Sequence, residues 1–124
     1  FLGASAILLI VRMLNDEELH RLHCLAHELE LDVLVEIHDK SELERALKIP
    51  DLQILGINNR NLNTFNTDIK TTGELIKFIP EEILKNIVLV SESGFLSKDD
   101  LKYAENLNVD ALLIGEALMK GLIF

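Results

Sequence analysis

Five short apolar runs, each closing on polar or glycine residues and separated by stretches of helical spacing, constrain this chain more than any other feature. They lie at Ala6 to Val11, Val33 to Ile37, Gln53 to Ile57, Ile87 to Val90 and Asp110 to Ile114. Runs of this length and solidity read as buried strands, and the segments between them suit crossovers that bring the next strand back parallel to the last. The expected fold class is therefore α/β, with about five strand–helix units and a parallel sheet.

The intervening segments carry helix signals. Asn15 or Asp16 is placed to cap a helix running to about Leu29, and Asp39 or Lys40 starts a second with Leu43, Ala46 and Leu47 on its apolar side, stopped by Pro50. A third is expected over Thr71 to Ile79, ended by Pro80. Ser97 caps a fourth, with Asp99 and Asp100 in its first turn, where the helix dipole favours them, and Gly115 opens a short last helix through Met119. Asn63, Asn66 and Thr67 read as turn residues.

Composition narrows the function classes. With 124 residues, 48% of them hydrophobic, the chain has room for one domain, 1–124, and a real core. A formal charge of −9 opposes nucleic acid and anionic lipid over the surface as a whole, although a local cationic pocket can still hold an anion. Neither nucleic acid nor membrane is expected as a partner. The single cysteine, Cys24, forms no intramolecular disulfide, and no apolar run approaches a membrane span, so a reducing, cytoplasmic setting is expected. The chain starts at Phe1 and enters a strand within a few residues, which reads as a piece of something longer.

Parallel strands place their carboxyl ends on one side, where α/β proteins keep their chemistry. Here those ends supply Glu36 and His38, then Asn58, Asn59 and Arg60, then Glu92, Ser93 and Gly94, then Gly115 and Glu116. Alternation along the second run puts Val33, Val35 and Ile37 on one face and Leu34, Glu36 and His38 on the other. A carboxylate on the interior face is costly unless paired or protonated, and Arg60 is the obvious counter-charge for Glu36 or Glu92. A purely structural ion pair at a strand end is the alternative. Gly94 and Gly115 allow backbone N–H groups to approach a phosphate, with only the backbone of Glu116 serving beside them. On the first helix, His20, His23, Cys24 and His27 form a stripe. Leu14, Leu22, Leu25 and Leu29 are taken as the buried side, so the stripe is expected to face solvent and no metal site is expected.

The strings LLIV at Leu8 to Val11, VEIHD at Val35 to Asp39, GINNRNL at Gly56 to Leu62, VSESG at Val90 to Gly94 and LIGEALM at Leu113 to Met119 resemble, in order, the later strands of indole-3-glycerol-phosphate synthase. The resemblance implies about strands four to eight of a (βα)8 TIM barrel. It also implies a cofactor-free step of tryptophan synthesis, in which 1-(2-carboxyphenylamino)-1-deoxyribulose 5-phosphate cyclises and loses carbon dioxide and water. Carried over by motif, Glu36, Asn58 and Glu92 are catalytic, Leu9, Arg60, Ser93 and Leu113 bind substrate, and Gly94, Gly115 and Glu116 surround the phosphate. The family's lysines and a further glutamate on strands one and three have no counterpart here, so the chain alone is expected to be inactive. Its open sheet edges call for the missing amino-terminal segment or a second copy. A flavodoxin-like open sheet is the alternative fold. A non-catalytic half-barrel that assembles or binds a phosphorylated ligand is the alternative function. A barrel such as phosphoribosylanthranilate isomerase would leave VEIHD and GINNRNL unexplained.

Overall fold

The structure, a computed structural model, describes residues 6–60, 67–92, 98–107 and 109–113. Five strands form one parallel sheet: β1 (Ala6–Ile10), β2 (Asp32–Ile37), β3 (Ile54–Asn58), β4 (Val88–Glu92) and β5 (Ala111–Leu113). Between them lie α1 (Asp16–Glu28), α2 (Lys40–Ala46), α3 (Lys70–Ile76), α4 (Glu81–Leu84) and α5 (Lys98–Glu105).

Each strand joins the sheet beside its predecessor and always on the same side, in the order β1-β2-β3-β4-β5. A flavodoxin-like sheet reverses direction at a switch point, so that alternative is excluded. Right-handed crossovers that never reverse deliver their helices to a single face, as in a barrel wall. Burial follows this rule. Leu9, Val33, Val35, Ile37, Leu55, Ile57 and Leu89 pack on the covered face with Leu19, Ala26, Leu43, Ala46, Leu75 and Ile79. Each large aliphatic side chain so removed from water contributes about 1.5 to 3 kcal/mol. On the other face Leu8 and Val88 are 50% and 44% exposed, and Ile10, Leu34, Ile54 and Val90 are only half-buried. The molecule is a partial barrel wall.

Local chemistry sets the helix starts. Asn15 caps α1 by accepting from Glu18 N at 2.8 Å, while the Glu18 carboxylate accepts from Asn15 N at 3.1 Å, a reciprocal capping box. Asp39 caps α2 by accepting from Glu42 N at 2.8 Å. Arg45 of α2 then reaches back to the turn after β1. Its guanidinium donates to the Val11 and Leu14 carbonyls and to Asp16, whose carboxyl it holds below its ordinary value.

Several expectations are corrected. The run after β1 leaves the sheet at Val11, which opens a 3-10 turn over Val11–Met13. The helix expected through Ile79 ends at Ile76, and Pro80, with Glu81 and Glu82 after it, begins the unforeseen α4. β4 continues past Val90 to include Ser91 and Glu92.

The face of α1 is turned from the expected one. Leu19, His23 and Ala26 are buried against the sheet, whereas Leu25 and Leu29 are about half exposed. The spacing of Leu19, His23 and Ala26 keeps one stripe against β1 and β2, and choosing the leucines by hydrophobicity alone rotated the helix. His23 is therefore inside, 3% exposed, and its burial holds the imidazole below its ordinary pKa. The Ser97 cap, the helix after Gly115 and the turn at Asn63 and Asn66 lie outside the described residues; Thr67 forms an antiparallel bridge with Arg60.

Candidate active site

Register brings the strand ends together. Ile10, Glu36, Gly56 and Val90 form one row across β1 to β4, and Asn58 stands beside Glu92 one row further out. Paired residues of parallel strands point the same way, so Glu36, Gly56, Asn58 and Glu92 share the face that none of the described helices covers. Two strand spacings of roughly 4.8 Å separate β2 from β4, with β3 between them. Gly56 is what lets the two glutamates meet. A Cβ there would run into Glu92 Oε2 and approach Leu34 Cδ1 to 3.1 Å, so the carboxyl of Glu92 occupies the volume that any other residue would fill.

Both carboxyls are removed from solvent, Glu36 at 7% and Glu92 at 4% exposure. Burial first, then the negative charge of Glu36 and a carboxyl–carboxylate hydrogen bond to it, push the Glu92 pKa up to about 8. At neutral pH Glu92 therefore keeps its proton beside Glu36. That is a proton donor beside a second buried carboxyl.

Behind Glu36 lies a group that the sequence reading assigned no role. His38 Nε2 is 3.6 Å from Glu36 Oε2, and its Nδ1 is 3.1 Å from Glu42 Oε1. Glu42 also accepts from His38 N at 3.0 Å and from Arg12 Nε at 2.8 Å. The one hint in the sequence is spacing: Asp39 as cap puts Glu42 one turn into α2, beneath His38.

A second buried network fixes the rim. Asn59 donates from Nδ2 to Ser91 Oγ at 3.0 Å and accepts at Oδ1 from Thr72 N and Thr72 Oγ1, while the Thr72 and Ser91 hydroxyls meet at 2.6 Å. Its backbone N–H donates to the Glu92 carbonyl at 2.9 Å. Asn59 thus ties the ends of β3 and β4 to α3, and so sets where Asn58 and Glu92 stand. Asn58 Oδ1 accepts from Arg60 N at 3.0 Å. Arg60 lines a cleft of about 140 Å³ with Arg12, His38, Asn58 and Thr71.

Leu9 is not brought to this face. It pairs with Val35 and lies in the core beneath the helices at 6% exposure, because odd positions of β1 point the other way. Leu8 and Ile10 are the β1 residues on the carboxylate side. Leu113 pairs with Glu92 in the sheet, but its side chain is outside those described, as are Ser93, Gly94, Gly115 and Glu116. At the opposite end of the strands His20, His23, Cys24 and His27 line a pocket of about 270 Å³ with Pro50 and Asp51. Among the described residues no group of three or more His, Cys, Asp or Glu is placed to hold a metal ion, and no helix is long and apolar enough to cross a membrane.

A singly wound parallel sheet with its acids gathered at the carboxyl ends of the strands, on the face away from the helices, defines the (βα)8-barrel class of enzymes. The family model described as indole-3-glycerol phosphate synthase matches residues 1–122. The chain belongs to the indole-3-glycerol phosphate synthase family. It is 50% identical over 121 residues to the indole-3-glycerol phosphate synthase of Acetivibrio thermocellus, covering 98% of this chain and 45% of the relative. The synthase of a Thermoanaerobacter species is 52% identical over 119 residues, 96% of this chain and 44% of the relative. That of Acinetobacter baumannii is 45% identical over 119 residues, 96% and 43% respectively. The chain thus spans less than half the length of these relatives.

Proposed function

We propose that this chain contributes, as one domain, the later strands of an indole-3-glycerol phosphate synthase barrel, and that Glu36, Asn58 and Glu92 carry out acid–base chemistry there. The observation that carries this is the buried carboxyl of Glu92, raised in pKa and brought beside Glu36 over Gly56, in a chain of that family.

The reaction suits such a pair. Ring closure onto the ketone of 1-(2-carboxyphenylamino)-1-deoxyribulose 5-phosphate needs a proton on the carbonyl oxygen. Loss of carbon dioxide then leaves its electron pair in the new ring system, and loss of water takes a ring proton to a base while the hydroxyl leaves protonated. Glu92, which keeps its proton at neutral pH, is suited to the donor role and Glu36 to that of the base. Asn58 and Arg60 orient the substrate with Ser93 and Leu113, while the N–H groups around Gly94, Gly115 and Glu116 receive the phosphate.

No lysine in the described strands reaches the carboxylate face, and the apolar surface of Leu8, Leu34 and Val88 calls for a covering layer. An amino-terminal barrel segment of the kind carried by the relatives is the partner that supplies both, in preference to a second copy. The test is to co-express the chain with the amino-terminal part of the Acetivibrio thermocellus relative and measure indole-3-glycerol phosphate. Turnover by the pair, with none from either part and none with Glu36→Gln, is expected. Turnover that survives E36Q overturns the assignment, and tight substrate binding without turnover by the pair favours a non-catalytic half-barrel.

A further inference from the structure

We propose that His38 exchanges a proton with Glu36, and that Glu42 and Arg12 hold its ring in the orientation that makes the exchange directional. The proposal deepens the reading of Glu36 and Glu92 as the acid–base pair and rests on it.

The argument starts at Glu42. This carboxylate is 6% exposed, and at Oε1 it accepts from His38 N while at Oε2 it accepts from Arg12 Nε. Arg12 is fixed in turn by Asp39 at 3.4 Å. A carboxyl group receiving a guanidinium and a backbone N–H is an acceptor, so His38 Nδ1, 3.1 Å from the same Oε1, meets it favourably only with a proton on Nδ1. That choice fixes the other nitrogen. In the neutral ring Nε2 holds a lone pair, and it is buried without a hydrogen-bond partner, facing Glu36 Oε2 across 3.6 Å. That buried ring nitrogen stays unmatched until the gap closes by about half an ångström around a proton. Gaps of this kind tighten when substrate is bound.

The step balances. In the imidazolium, Nδ1–H points to Glu42 and Nε2–H to Glu36. Transfer breaks the Nε2–H bond, leaves its electron pair on the ring nitrogen and forms an O–H bond at Glu36 Oε2. Imidazolium and carboxylate become neutral imidazole and neutral carboxyl, so no charge is created inside the site. The groups bearing on the ring are Glu36 near the end of β2, just before His38, Asp39 capping α2 and Glu42 in its first turn, Arg12 on the turn after β1, Arg60 across the cleft, and Glu92 behind Glu36. His38 acts through Glu36 and is a positioning and relay residue, not one that touches substrate.

The test is imidazole nitrogen NMR on the 124-residue chain, wild type and Glu36→Gln, across the range in which Glu92 titrates, centred at about 8. The expected neutral ring carries its proton on Nδ1. Its Nε2 signal moves as Glu92 loses its proton, and that movement disappears in E36Q. A wild-type ring protonated on Nε2, or an Nε2 signal blind to the carboxyl pair, overturns the proposal. The wild-type spectra decide the matter even if the variant does not fold. Because the readout uses no turnover, it is separable from the function: spectra as expected with turnover surviving E36Q in the reconstituted barrel would remove the catalytic reading alone.

Discussion

Gly56 acts by having no side chain. The space beside its Cα is filled by the Glu92 carboxyl, and that is how a residue of β4 reaches one of β2 over an intervening strand. Gly56→Ala is expected to leave the strand intact and push Glu92 towards solvent. Carboxyl carbon NMR should then show Glu92 titrating well below about 8, and turnover of the reconstituted barrel should fall by roughly tenfold or more, within the range of a lost acid–base group. Glu92 also gives stability a pH dependence of definite sign. Its folded pKa is raised from 4.5 to about 8, so the folded chain binds more protons than the unfolded chain between those values. Its contribution is complete below 4.5 and is lost as the pH rises through about 8, by on the order of a few kcal/mol. Urea midpoints should fall over that range in the wild type and stay flatter in Glu92→Gln, which keeps the neutral shape. A midpoint that rises with pH in the wild type would contradict the assignment.

Elements were legible in the sequence where one signal dominates, and less so where two compete. The strands follow from their apolar runs, and the caps at Asn15 and Asp39 from short acceptors ahead of them. That Glu36 lies opposite Val33 and Val35 in facing was also readable, since alternation allows nothing else. The inner side of α1 was only half legible: Leu14 and Leu22 do pack against the core, but Leu25 and Leu29 do not, and the spacing that seats Leu19, His23 and Ala26 sets the buried stripe. Leu9 was misplaced for a related reason: a position carried over from a family says nothing about parity until the register with Val35 is known. The roles of Gly56 and Asn59 depend on neighbours on other strands and helices, which no local pattern reports, whereas the His38–Glu42 contact has only the cap spacing at Asp39 to announce it. Two predictions belong at this scale. Glu30 closes α1 with φ 59, where its N–H bonds the His27 carbonyl and Leu31 N–H bonds the Ala26 carbonyl. Glycine suits this position, so Glu30→Gly should raise stability by about 1 kcal/mol in thermal unfolding. Asn59→Ala orphans the buried Thr72 and Ser91 groups and should cost about 2 to 3 kcal/mol by urea titration.

For the molecule as a whole, the contrast between its two sheet faces governs behaviour in solution. One is dry beneath helices, and the other shows Leu8 and Val88 to water. An exposed apolar surface of this kind binds hydrophobic dyes and invites association. The isolated chain should enhance ANS fluorescence, and the amino-terminal part of a relative should suppress that signal by covering the same face. Val88→Lys should change the chain's own stability by less than about 0.5 kcal/mol, since little packs on it, yet weaken that assembly measurably. An unchanged ANS signal on mixing would show that the two parts meet elsewhere.

The unbroken strand order has a kinetic meaning as well. Every strand docks on the one the ribosome released just before it, so no part of the sheet waits for a distant partner. The wall can be laid down during synthesis, unit by unit. A break in the polypeptide between two of these units would still leave each piece with its strands in their native sequence of neighbours.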